Sequence, residues 1–120
     1  MLRTHTRKDA VPFTVVAMED GIPVGSCCVI ENDCVHRPQY TPWVAAVFVR
    51  KELRRRGIAS RILQEAVRAA RRGGVKGLYI DCHVKTVRVY EKSGWKVLER
   101  EVGDKDSVVM FRAVGSEPGS

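Results

Sequence analysis

Trp43-Val-Ala-Ala-Val-Phe-Val49-Arg-Lys-Glu-Leu-Arg54-Arg55-Arg56-Gly57-Ile58-Ala59-Ser60 is the stretch on which the fold turns. Its first seven residues are a continuous apolar run, the pattern of a central strand buried on both faces. From Ile58 the period changes. Apolar residues fall at 58, 59, 62, 63, 66, 67 and 70, which lie along one face of a helix. Arg61, Gln64, Glu65, Arg68, Arg71 and Arg72 occupy the other face, and Gly73-Gly74 supplies the stop. A buried strand therefore runs through a basic loop into a helix that starts near Arg56 and Gly57.

That junction carries chemistry. A helix start exposes unpaired N–H groups and partial positive charge. Gly57 has no Cβ, so an anion can approach its backbone closely, and the small Ala59 keeps the next turn clear. Helix starts favour acidic residues, and three arginines there cost roughly a few tenths of a kcal/mol each without a bound anion. A solvated basic face is the plain alternative. The local electrostatic conflict favours an anion cradle for a phosphate or pyrophosphate.

Working outward, Val11–Met18 and Val24–Ile30 are β-rich runs across Asp20-Gly21 and read as an antiparallel hairpin. A polar loop, 31–41, follows. Beyond the helix, Leu78–Cys82 reads as a short buried strand and Val84–Lys92 as a helix ended by Ser93-Gly94. Trp95–Glu101 and Ser107–Ala113 read as two more strands. The order is β-β-β-α-β-α-β-β: an α/β (α+β) fold with a mixed sheet flanked by helices, the central strand–helix–strand unit being parallel. Residues 1–114 form a single domain, and 115–120 read as a disordered tail.

The 120 residues suffice for one domain, and 44% of them are hydrophobic. No run approaches the ~20 apolar residues of a membrane helix, and no hydrophobic stretch follows Arg3, Arg7 and Lys8 as in a signal peptide. The expectation is a cytoplasmic protein without a membrane partner. Cys27, Cys28, Cys34 and Cys82 lack zinc spacing, so no metal is expected, and they read as reduced thiols. The net charge of +7 suits an anionic partner, either nucleic acid or a small polyphosphate. The few aromatics and the absence of a reading motif argue against nucleic acid.

The spacing Arg54-x-x-Gly57-x-Ala59 after a buried strand resembles the pyrophosphate signature of GCN5-related N-acetyltransferases. Arg37–Val49 looks like the segment before that signature, and Val89-Tyr-Glu-Lys-Ser-Gly-Trp95 looks like the family's second helix-to-strand motif. The resemblance spans residues 13 to 113. It implies a centrally splayed acyl-CoA N-acyltransferase sheet, with acetyl-CoA as co-substrate. The pantetheine arm would pair with the backbone of Val47, Phe48 and Val49, and the pyrophosphate would sit on Arg54, Arg55, Arg56, Gly57, Ile58, Ala59 and Ser60. Tyr90 would touch the cofactor and protonate the departing thiolate. A phenol with pKa near 10 can do so at neutral pH, although a core tyrosine on an amphipathic helix would look the same.

Three features depart from the family pattern. The asparagine that commonly opens the second helix is replaced by His83, which reads as a helix-start residue. Asp81 is the first candidate for the base that deprotonates the amine, with Glu31, His36 and a water chain as alternatives. The dozen residues before the first strand are too few for the usual strand and helices, so the N-terminus is shortened and the acceptor pocket open on one side, which favours a homodimer. The implied function is acetyl transfer to a primary amine. The alternative is a noncatalytic acyl-CoA-binding module. Tyr40 and Trp43 are candidates for lining the acceptor site, Trp43 equally for the core. Nothing in the residues names the acceptor.

Overall fold

The computed structural model describes residues 2–6 and 11–115. The strands are β1 (Leu2–Thr6), β2 (Phe13–Glu19), β3 (Ile22–Ile30), β4 (Trp43–Val49), β5 (Gly77–His83), β6 (Lys96–Arg100) and β7 (Ser107–Ala113). Helix α1 covers Ile58–Arg72 and α2 Val87–Glu91. The strands form one sheet in the order β1-β2-β3-β4-β5-β7-β6, with β4 and β5 parallel and every other pair antiparallel. The mixed sheet and the parallel centre agree with the expected fold class. Of the tail expected at 115–120, residues 116–120 lie outside the described part of the chain.

α1 forms where the 3.6-residue period dictates and buries Ile58, Ile62, Leu63, Ala66, Val67, Ala69 and Ala70. Taking a side chain such as Ile62 or Leu63 out of water contributes roughly 1.5–3 kcal/mol. These residues join Val15, Val29, Val44, Leu78, Ile80, Trp95 and Met110 in the main core. Successive strand residues face opposite ways, so Trp43 and Val109 emerge on the other face. There they pack with Cys34 and Val102 under Tyr40 and Tyr79. Arg37 grips Glu99 in two 2.9 Å bonds and Tyr40 Oη donates to the same carboxylate at 2.7 Å, so the 31–42 loop is tied to β6.

Three expectations change. A strand, β1, precedes the hairpin and pairs with β2 from Leu2↔Glu19 to Thr6↔Val15. Residues 7–12 separate it from β2. Burial of Trp43–Val49 on both faces holds for Trp43, Val44 and Val49, whereas Ala46 and Phe48 are exposed; the strand bulges and leaves its neighbour. The second helix is also shorter than its spacing suggests. Val84–Thr86 is a 3-10 turn and α2 has five residues, because β-branched Val84, Thr86, Val87 and Val89 are poor helix formers.

Candidate active site

β4 is paired along one edge and open along the other. Against β3 it runs in register from Ile30↔Trp43 to Cys28↔Ala45, slips by one residue, and resumes from Ser26↔Phe48 to Gly25↔Val49. The extra residue is a β-bulge, with Ala46 in the left-handed region at φ 54°. Against β5 the only register pair is Trp43↔Tyr79, beside Tyr79 N–H donating to Pro42 O at 3.0 Å. Beyond it the strands part around a cavity of about 240 Å³ lined by Ala45, Ala46, Val47, Asp81, Cys82 and Tyr90, among others.

The basic loop leads to the start of α1. Arg55 (φ 68°) and Gly57 (φ 78°) are both left-handed, and Gly57 is the N-cap. Alternating left-handed turns of this kind aim successive N–H groups into an anion-binding concavity. The first helical bond runs from Arg61 N–H to Gly57 O at 3.1 Å, so the N–H groups of Ile58, Ala59 and Ser60 have no partner within the helix. No side chain caps this end and no acidic residue lies in its first turn. A Cβ placed on Gly57 would meet nothing within 4 Å, so the approach is open. Arg54, Arg55 and Arg56 are exposed around it. Arg54 is anchored, its Nε donating to Val49 O at 3.1 Å.

Tyr90 projects from α2 into the cleft wall, half-buried and packed edge-on to Trp95. Burial pushes its phenol pKa up, helped by the neighbouring Cys82 and Cys27, so the ring keeps its proton. The turn after α2 is joined to the cradle by Ser60 and Ser93, whose hydroxyls are 3.4 Å apart.

Asp81 stands at a boundary. It lines the cleft and also a second cavity of about 460 Å³ with His36, His83, Asp104, Asp106 and Ser107. Ser107 Oγ donates to its carboxylate at 2.6 Å. His83 caps the 3-10 turn: Lys85 N–H donates to its Nδ1 at 3.0 Å, and Thr86 Oγ1 donates to its carbonyl at 2.7 Å.

Val47, Asp81 and Tyr90 are thus brought together, with the 54–60 cradle beside them. Phe48 and Val49 lie past the bulge and line no part of the cleft. Of the alternative bases, His36 reaches the second cavity, while Glu31 faces a different hollow with Pro38 and Val75. Trp43 is fully buried, its Nε1 donating to Tyr40 O at 2.6 Å, and Tyr40 stacks on Tyr79; neither lines the cleft or the second cavity. Sequence reasoning missed Asp33 in the cleft wall, whose carboxyl pKa is raised by burial and then by Asp81. It also missed Asp104 and Asp106. No local signal marks them, because the sheet assembles them from distant loops. Among the described residues no group of three or more His, Cys, Asp and Glu is placed to hold a metal ion, and no helix is long and apolar enough to cross a membrane.

The profile of the acetyltransferase (GNAT) family matches residues 2–95. The chain belongs to that family. No curated protein matches it by sequence. Solved GNAT-fold structures do match by shape. yncA of Salmonella typhimurium, solved with acetyl-CoA, superposes with a TM-score of 0.73 at 18% identity over 92% of this chain and 69% of its own. The IAA acetyltransferase of Bacillus cereus gives 0.73 at 16% identity, over 94% and 99%. An aminoglycoside 6′-N-acetyltransferase complexed with coenzyme A gives 0.69 at 17%, over 88% and 74%. The GNAT likeness fixes the fold, and at these identities nothing finer.

Proposed function

We propose that the protein moves acetyl from acetyl-CoA to a primary amine by direct attack. The observation that carries this reading is the opening of β4 from β5 directly beside a bare, arginine-ringed helix start. The yncA and aminoglycoside acetyltransferase structures hold acetyl-CoA or coenzyme A on the same fold. The pyrophosphate takes the N–H groups of residues 55–60, and the pantetheine arm runs along the open edge of β4 near Val47. The neutral amine attacks the thioester carbonyl carbon to form the C–N bond, the C–S bond breaks, Tyr90 gives its phenolic proton to the leaving sulfur, and the proton shed by the new amide nitrogen restores the phenol through solvent.

The acceptor enters from the second cavity. Asp81, Asp104 and Asp106 there attract an ammonium group and draw it toward the cleft. Asp81, shared by both spaces, takes the ammonium proton before attack, and water beyond it carries the proton to solvent. The face of β1–β3 turned away from α1 carries the partly exposed Val16 and Met18, and a second copy of the chain covers it in a homodimer.

A thermal-shift titration with acetyl-CoA tests the cofactor side. At 100 times its dissociation constant the ligand adds about 2.7 kcal/mol of stability; an unmoved melting curve sinks the proposal. Thiol release with an amine panel then tests transfer. Binding without turnover on any amine would leave a noncatalytic acyl-CoA-binding module.

A further inference from the structure

A cavity of about 150 Å³ lies outside the cleft, between α1 and the turn that enters β6. It is lined by Gln64, Arg68 and Arg71 on α1, Ser93 and Trp95 at the turn, and Arg112 on β7, over an apolar floor. Among the described residues, two donors at this site are buried without an acceptor: Trp95 Nε1 and Arg112 Nε. Trp95 is only 2% exposed. Buried donors of this kind are rare in folded proteins, since desolvation is then uncompensated.

The chemistry of the lining is one-sided. Indole N–H and guanidinium groups donate and never accept. Arg68 reaches Glu65 only at 3.5 Å, and Arg112 Nη1 donates to Ala113 O. Among the described residues no carboxylate lines the cavity. Its complement is an acceptor-only group of high negative charge. Guanidinium groups match phosphate oxygens in bidentate fashion. The backbone is shaped to admit Arg112: a Cβ on Gly94 would lie 2.9 Å from Arg112 Nε, and Gly94 has φ 92°.

We infer that this cavity is a phosphoryl-binding site, held by Arg68, Arg112 and the Trp95 indole N–H. Two sources supply that chemistry. One is free phosphate or a phosphorylated small molecule. The other is the 3′-phosphate of coenzyme A, since Ser93 lines the cavity and meets Ser60 at the cradle. Gln64 lies six residues along α1 from Ile58, about 9 Å of helix rise. The inference does not rest on acetyl-CoA binding, because the first source needs none.

The test follows the two indole N–H resonances of the full chain while inorganic phosphate is added at constant ionic strength. Trp43 Nε1 already donates to Tyr40 O and serves as the internal control. The Trp95 signal moves saturably and the Trp43 signal does not. Arg112→Met, and Arg68→Gln at a 57% exposed side chain where folding is not at stake, each weaken the effect tenfold or more, as expected for a lost charge-assisted bond. Parallel titrations use coenzyme A and its 3′-dephospho form. Movement with coenzyme A but not the dephospho form assigns the site to the cofactor's phosphate; movement with inorganic phosphate assigns it to a free anion. No movement with either phosphate or coenzyme A overturns the inference, as does equal movement with both cofactor forms and none with phosphate. A failed acetyl-CoA reading would instead leave cleft signals unmoved by either cofactor form, with the phosphate arm intact.

Discussion

The two edges of β4 do opposite work. The edge against β3 is hydrogen-bonded on both sides of the bulge, and that pairing sets its register and anchors the hairpin. The edge against β5 has one register pair and then a gap. The same backbone thus gives the fold on one side and an open cleft on the other. The residue that permits both is Ala46, whose left-handed bulge takes up the extra length without breaking the β3 ladder. Strain is located where the site is, as expected of functional backbone.

Changes on the open side should alter catalysis and leave the fold alone, and the largest effect expected is there. Tyr90→Phe lowers the maximal rate by roughly ten- to a thousandfold, while acetyl-CoA affinity and melting temperature stay near wild type; steady-state kinetics with an equilibrium titration check this. An unchanged rate would remove Tyr90 from proton transfer. Changes on the paired side should do the reverse. In Gly25→Val the new Cβ would lie 2.7 Å from Phe48 O and 2.8 Å from Ile62 Cδ1. Overpacking of this kind costs about 1–3 kcal/mol, readable as a lower urea midpoint.

Gly57→Ala sharpens the comparison, because it strains the cradle without touching either edge. The left-handed conformation at φ 78° costs a residue with Cβ about 1–2 kcal/mol. The expected result is weaker acetyl-CoA binding by several fold in calorimetry, with the rate at saturation little changed. The smallest effect is remote from both edges. Arg37 and then Tyr40 bond the Glu99 carboxylate and lower its pKa from 4.5 to about 2. A depressed carboxylate adds stability in full above its ordinary pKa and loses it as pH falls toward the folded value. Acid unfolding should therefore show a component between about pH 4.5 and 2 that Glu99→Gln removes.

Much of this was legible from the chain because it is local. The period of α1, the glycine at its start and the arginines before it all sit within a few residues of one another. The parts that were not legible depend on distance along the chain. β1 offers one apolar residue, Leu2, in a polar alternation, and takes its strand form from pairing with β2. The bulge at Ala46 leaves no trace in a run of seven apolar residues, and the splay beside it was expected only from the family resemblance. Asp33 and Asp81, 48 positions apart, meet only once the 31–42 loop has folded back, and Trp95 and Arg112 share a cavity only through β7. Tyr90 was legible through a motif, yet its raised pKa comes first from burial and then from Cys82 and Cys27, which the fold supplies.

The single β4–β5 register pair has a consequence for how the molecule comes apart. The sheet is two half-sheets, β1–β4 and β5–β7, with almost no backbone bonding between them. Side chains hold them together: Leu78, Ile80, Trp95 and Met110 in the main core, and the Trp43–Tyr79 cluster behind it. Cooperativity between the halves is therefore a property of packing. Slow-exchanging amides should fall into two groups, each tracking its own half, and a ligand lying along the seam would fuse them into one unfolding unit.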